Sequence, residues 1–151
     1  MLTPIKRNIG SPALMTQILL DFDNDEFKSE EALLKFIENR WKFVFQFVWP
    51  YGRLELKDLR VMRTSNGWHV YLTVANRMTQ DDIVFLQLML GSDYRREAYS
   101  YLRLHSGVRD WNFLFQRKYD GDHNIISKEE RCPDLTNEIR DKVKSFLSGH
   151  D

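Results

Sequence analysis

The chain has 151 residues, the length of one domain able to bury about two-thirds of the surface its unfolded form would expose. Ten Phe, six Tyr and four Trp within a 42% hydrophobic content exclude a disordered chain. Lys plus Arg and Asp plus Glu total 22 each, which excludes a global electrostatic coat for nucleic acid and leaves any such contact to a local basic patch. The single cysteine, Cys132, cannot form an internal disulfide, and no CxxC or Cys/His spacing signals zinc. No apolar run approaches the roughly 20 residues of a membrane span, and the N-terminus lacks a signal-peptide core, so a cytoplasmic protein with no membrane contact is expected.

Residues 1–13 contain Pro4, Gly10 and Pro12 without periodicity and read as an irregular arm. Met15 to Phe22 is a short apolar run between polar residues, the pattern of a buried central strand. Ser29 is then an N-cap, with Glu30 and Glu31 suited to the positive end of a helix dipole. Leu33, Leu34, Ile37, Trp41 and Val44 follow at helical spacing, ending by Pro50. The aromatics Trp41, Phe43, Phe45, Phe47 and Trp49 read as core packing or as a partner surface.

Asp58–Thr64 and Trp68–Val74 read as two strands around Ser65-Asn66-Gly67, because Asn-Gly tolerates the positive φ of a tight hairpin turn. Thr79 caps a helix to Leu90, with Gly91 as its stop, and a second helix runs from Tyr94 to Leu104. Arg95, Arg96 and Arg103 on that helix read as a basic stripe or as a solvated face. Trp111 to Arg117 is predicted as a strand, and residues 134–148 as a final amphipathic helix carrying Ile139, Val143, Phe146 and Leu147 on one side. The order β-α-β-β-α-β predicts a single α+β domain over 1–151. Its fold would be a ferredoxin-like or RRM-like split βαβ antiparallel sheet, with helices on one face and extra helices in the second crossover and at the C-terminus. In that topology the first and third strands lie together at the centre.

Strand side chains alternate, so Asp21 and Asp23 project from one face and Phe22 from the other, while His69 and Tyr71 share a face on the third strand. Leu20, Phe22, Val70 and Leu72 then meet the helices, and Asp21, Asp23, His69 and Tyr71 gather on the open face. Two readings of Asp21 and Asp23 stand: a solvated strand-end turn, or a carboxylate pair holding a divalent cation. Oxygen ligands favour Mg²⁺ or Mn²⁺ over zinc, the ions that neutralise charge in phosphoryl and nucleotidyl transfer.

"LLDFDND" followed by "RTSNGWHVYL" resembles the archaeo-eukaryotic primase superfamily, in particular the small primase-polymerase domains of plasmids and viruses. Asp21 and Asp23 match its Asp-hydrophobic-Asp motif; Arg63, Ser65, Gly67 and His69 match its Ser-turn-His motif. The resemblance implies an RRM-like fold and a metal-dependent nucleotidyltransferase in DNA replication, using nucleoside triphosphates on a single-stranded template. Asp21, Asp23 and His69 would be catalytic. Asp21 and Asp23 would hold Mg²⁺ or Mn²⁺, with Asp93 as third ligand or Asp110, just before the fourth strand, in its place; Asp120 and Asp122 follow that strand. Arg63, Ser65, His69 and Lys118 would contact the nucleotide, and replication proteins such as a helicase would be partners. Two alternatives stand beside it. One is a catalytically inactive relative kept as a nucleic-acid- or protein-binding module. The other is a rolling-circle endonuclease, which normally needs two His flanking one hydrophobic residue where "WHVY" has one.

Overall fold

A computed structural model describes residues 14–23, 26–48, 53–108, 111, 112, 114, 117–119, 121, 122 and 125–148. The N-terminal arm and Asp110 and Asp120 lie outside them. The elements are β1 (Leu14–Asp23), α1 (Glu30–Phe36) continued by π turns at Ile37–Trp41 and Val44–Val48, β2 (Leu56–Thr64), β3 (Gly67–Thr79), α2 (Gln80–Met89), α3 (Tyr94–His105), β4 (Arg117–Tyr119), β5 (Ile125–Lys128), β6 (Glu130–Arg131) and α4 (Pro133–Leu147). Among the described residues no helix is long and apolar enough to cross a membrane.

Local chemistry sets the helix starts. Ser29 Oγ accepts from the Ala32 N–H at 3.1 Å, and Thr79 Oγ1 accepts from the Asp82 N–H at 3.2 Å, each satisfying an orphan donor of a first turn. Ser65 and Asn66 form the turn joining β2 and β3, whose pairing begins at Thr64 and Gly67. β3 runs antiparallel to both β1 and β2, so β1 and β2 are parallel strands split by β3. This is the split βαβ arrangement, an α+β fold with one antiparallel four-stranded sheet in the order β1-β3-β2-β6.

Alternation sorts the faces. Ile18, Leu20 and Phe22 of β1, Trp68, Val70 and Leu72 of β3, and Leu59 and Val61 of β2 are buried in one core with Leu33, Ile37 and Trp41, Ile83 and Leu86 of α2, and Ile139 and Val143 of α4. Fully burying one such aliphatic side chain contributes about 1.5–3 kcal/mol, so this shared face is the main reason the helices dock.

Two expectations about the sheet give way. Among the described residues β1 is an edge strand rather than a central one, because the fourth strand, β6, pairs with β2 on the far side. Trp111, Asn112 and Leu114 are not in a strand: the Trp111 side chain is buried in the core, and Asn112 bonds to Gln87 and Arg96. β4 pairs instead with β5 in a separate two-stranded sheet. The β6 position follows from α4, whose Thr136 Oγ1 accepts from the Val61 N–H at 3.0 Å while the Cys132 N–H donates to the Val61 carbonyl at 3.3 Å.

The α2–α3 corner depends on Gly91, at φ 96°. A Cβ there would stand 2.4 Å from Phe36 Cζ, inside a ring cluster in which Phe36 meets Phe22 and Phe27 edge-on. Gly91→Ala is therefore expected to lower stability by about 1–3 kcal/mol for the backbone conformation alone, with displacement of Phe36 added. Urea denaturation measures it, and an unchanged midpoint would mean that the corner is not held this way.

Candidate functional site

The β1–β3 register places Asp21 directly opposite His69. His69 Nε2 lies 3.6 Å from Asp21 Oδ1, and Nδ1 lies 3.6 Å from Glu129 Oε1. The Tyr71 hydroxyl donates to the same Glu129 carboxylate, 2.8 Å from Oε2 and in contact with Oε1. The side chains of His69 and Glu129 are only 6% and 8% exposed, so the expected open face is roofed at this point by the segment after β5. Nothing in the sequence around Glu129 signalled this, because the contact joins positions far apart in the chain.

Burial pushes the His69 imidazole below its ordinary value, against the opposing pull of the Asp21 and Glu129 carboxylates and with a smaller push the same way from Arg96. Nδ1 has no hydrogen-bond partner among the described residues. The unfolded histidine takes up its proton near pH 6.5, before the folded one does, so stability is full above that pH and falls as pH drops below it. Urea midpoints are expected to fall between pH 7.5 and 5.5, and His69→Asn to flatten that slope; an equal slope in the variant would assign it elsewhere.

Among the described residues no strand lies beside the outer edge of β1, and groups of the α2–α3 corner take its backbone N–H and carbonyl groups. The Leu19 N–H donates to Gln87 Oε1 at 2.9 Å and the Asp21 N–H to Ser92 Oγ at 3.0 Å. The Leu19 carbonyl accepts from Arg96 Nη1 at 3.0 Å and the Asp21 carbonyl from the Asp93 N–H at 2.7 Å. This covers an edge that would otherwise invite another strand. Behind it, the Glu97 carboxylate accepts from Gln87 Nε2 at 2.7 Å, from Ser92 Oγ at 2.8 Å and from Arg96 Nη1.

That network carries Asp93 to the end of β1, where it caps α3 by accepting from the Arg95 N–H at 2.8 Å. Arg95 Nη2 stands 2.9 Å from Asp23 Oδ2 and 2.9 Å from Asp93 Oδ2, so two carboxylates converge on one cationic nitrogen. The guanidinium holds the Asp93 carboxyl below its ordinary value, and Asp93 raises Arg95 in return. A pocket of about 410 Å³ opens here, with Phe27, Phe36 and Gly91 in its lining and Asp23, Glu26, Arg40, Asp93 and Arg95 as charged members.

The structure thus brings Asp21 and His69 together and sets Asp23 and Asp93 across Arg95. Arg63 is elsewhere: it faces Trp68 across the hairpin, on the helix side of the sheet, with its guanidinium 4.2 Å over the indole. Ser65 is exposed in the turn, Lys118 lies in β4, Asp122 is exposed in the turn between β4 and β5, and the alternative ligand Asp110 lies outside the described residues.

Among the described residues no three His, Cys, Asp or Glu side chains group closely enough to hold one ion. The donor set still suits Mg²⁺ or Mn²⁺, since a hard ion of this kind is often held by one or two carboxylates and completed by water and phosphate oxygens. Arg95 supplies the positive charge between Asp23 and Asp93. Comparison with family models, curated proteins and solved structures returned no match.

Proposed function

We propose that this chain is a minimal primase-polymerase-like nucleotidyltransferase, working with Mg²⁺ or Mn²⁺ on nucleoside triphosphates over a single-stranded template. The observation that carries this reading is the placement of Asp21 opposite His69, with Asp23 and Asp93 converging at the same end of β1. Asp23 and Asp93, whose carboxylates converge on Arg95, are the pair that would hold the ion, with Asp21 beside His69 on the same strand as Asp23; the ion when bound would draw phosphate oxygens together and offset the charge that develops on them. His69 lies between Asp21 and Glu129, 3.6 Å from an oxygen of each. Arg40 and Arg95 supply the guanidinium groups for phosphate; Arg63, on the other side of the sheet, does not. The test is incorporation of labelled nucleotide on a single-stranded and on a primed template with Mn²⁺ or Mg²⁺. Product that needs template and cation supports the reading, and none under either cation sinks it.

A binding module that has lost catalysis is the second reading, favoured by one feature of α3. Tyr94, Tyr99, Tyr101 and Leu102 are exposed there, and Arg95 and Arg103 each lie 5.9 Å from a tyrosine ring, over Tyr94 and Tyr99. Aromatics beside arginine are the means by which single strands are stacked without sequence preference. Single-strand binding that survives Asp21→Ala with Asp23→Ala, with no incorporation by the wild type, would favour this reading over the first.

A further inference from the structure

We infer that the outer face of the α2–α3 hairpin, built on Phe85, Leu88, Tyr94 and Tyr101, is where two copies of this chain pair about a two-fold axis. The inference stands apart from the nucleotidyl-transfer reading.

A surface helix turns polar residues outward, whereas a helix that is apolar all round belongs in an interior. α2, with the sequence QDDIVFLQLM, is of the second kind. Ile83, Val84 and Leu86 are buried in the core, while Phe85 and Leu88 on the other side are each 45% exposed. α3 widens this exposed strip. Asp81 and His105 meet at 3.3 Å, which sets the two helices side by side and antiparallel, and the His105 ring lies 4.2 Å from that of Tyr101, one turn back. At the other end Leu88 and Tyr94 line the same pocket. Between these two rungs the helical repeat brings Phe85 level with Tyr101.

Tyr94 is 70% exposed and Tyr101 50%. At 150–250 Å² for an aromatic side chain, the three rings alone present about 300 Å² of apolar surface. With Leu88 the strip reaches the size at which an apolar patch marks a partner site, and it suits the centre of an interface of about 800 Å² on each side.

Charge selects the occupant. Asp81, 70% exposed at one end of the strip, repels a nucleic acid or an anionic membrane. At the other end Arg95 already holds Asp23 and Asp93, but Arg40 meets only the Met89 carbonyl and the Phe36 ring, with no carboxylate among the described residues. A two-fold axis beside Phe85 lays α2 antiparallel on its own copy. Asp81 of each chain then stands level with Met89 of the other, where Arg40 is held, so that one patch complements itself. The chain carries no formal net charge, and no long-range repulsion opposes the approach.

Sedimentation equilibrium on the full chain tests the pairing. Wild type is expected to pass from monomer to dimer with a Kd of about 1–10 µM, the weak end for interfaces of standard size. Phe85→Glu and Leu88→Glu are each expected to weaken pairing by about tenfold or more. Urea midpoints check that these variants fold, and Phe85→Ser and Leu88→Ser take the same measurement where an acid lowers the midpoint. Asp81→Lys is expected to weaken pairing about threefold, and adding Arg40→Glu to restore it. A wild type still monomeric about a hundredfold above the expected Kd would overturn the inference. So would a dimer that the Phe85 and Leu88 variants leave intact, or a monomer whose binding of a single-stranded oligonucleotide those variants abolish, which gives the face to nucleic acid. Failure of the exchanged charges to restore pairing would overturn the two-fold arrangement.

Discussion

Glu97→Ala is expected to lower the free energy of unfolding by about 3–5 kcal/mol, the cost of removing one partner from a buried ion pair. Glu97 is only 2% exposed and is the common acceptor for Arg96, Gln87 and Ser92. Alanine would leave the largely buried Arg96 charge without its carboxylate and strand a buried amide and hydroxyl. The same three donors, with Asp93, hold the edge of β1, so loss of the carboxylate spreads to Leu19 and Asp21. Glu97→Gln, which keeps the volume and most hydrogen bonds, should cost less than Glu97→Ala. Urea denaturation of both variants checks this. A loss for Glu97→Ala below about 1 kcal/mol, the range of an exposed ion pair, would mean that the network contributes little.

Asp23→Asn is expected to reduce nucleotide incorporation roughly 10³-fold, the scale of several kcal/mol of charge stabilisation. Stability should change by no more than about 0.5 kcal/mol, as for other surface substitutions. Asparagine has nearly the same shape, Asp23 sits half-buried at the end of its strand, and Arg95 keeps its second partner, Asp93. The pairing of the two results matters: lost activity with a normal melting curve assigns the effect to the charge. Incorporation equal to wild type would remove Asp23 from the reaction.

The face on which Arg63 lies was legible in the sequence. A two-residue turn at Ser65 and Asn66 pairs Thr64 with Gly67 and therefore Arg63 with Trp68. Alternation alone then puts Arg63 on the face opposite His69. The motif resemblance grouped Arg63 with His69, and the alternation separates their faces. Asp93 shows the converse: it reads as a helix start and as a candidate ligand, and it caps α3 while standing beside the Asp23–Arg95 pair.

Short-range rules acting on the sequence determined the hairpin, the Ser29 and Thr79 caps, the core face of β1 and β3, and the shared face of Asp21 and Asp23 on β1 and of His69 and Tyr71 on β3. Each of these rests on the period of a strand or on contacts within a few residues, where neighbouring side chains leave few options. Tertiary structure alone decided that β1 is an edge, that α2 and α3 satisfy it through Gln87, Ser92 and Arg96, that β6 completes the sheet beside β2, and that Glu129 covers His69. These features join segments separated by dozens of residues through single polar side chains. No hydrophobic period records such a contact, because one hydrogen bond satisfies a buried group whatever its distance along the chain. Arg95 belongs with them: its charge is plain in the sequence, but its position between Asp23 and Asp93 exists only once α3 is docked on the end of β1.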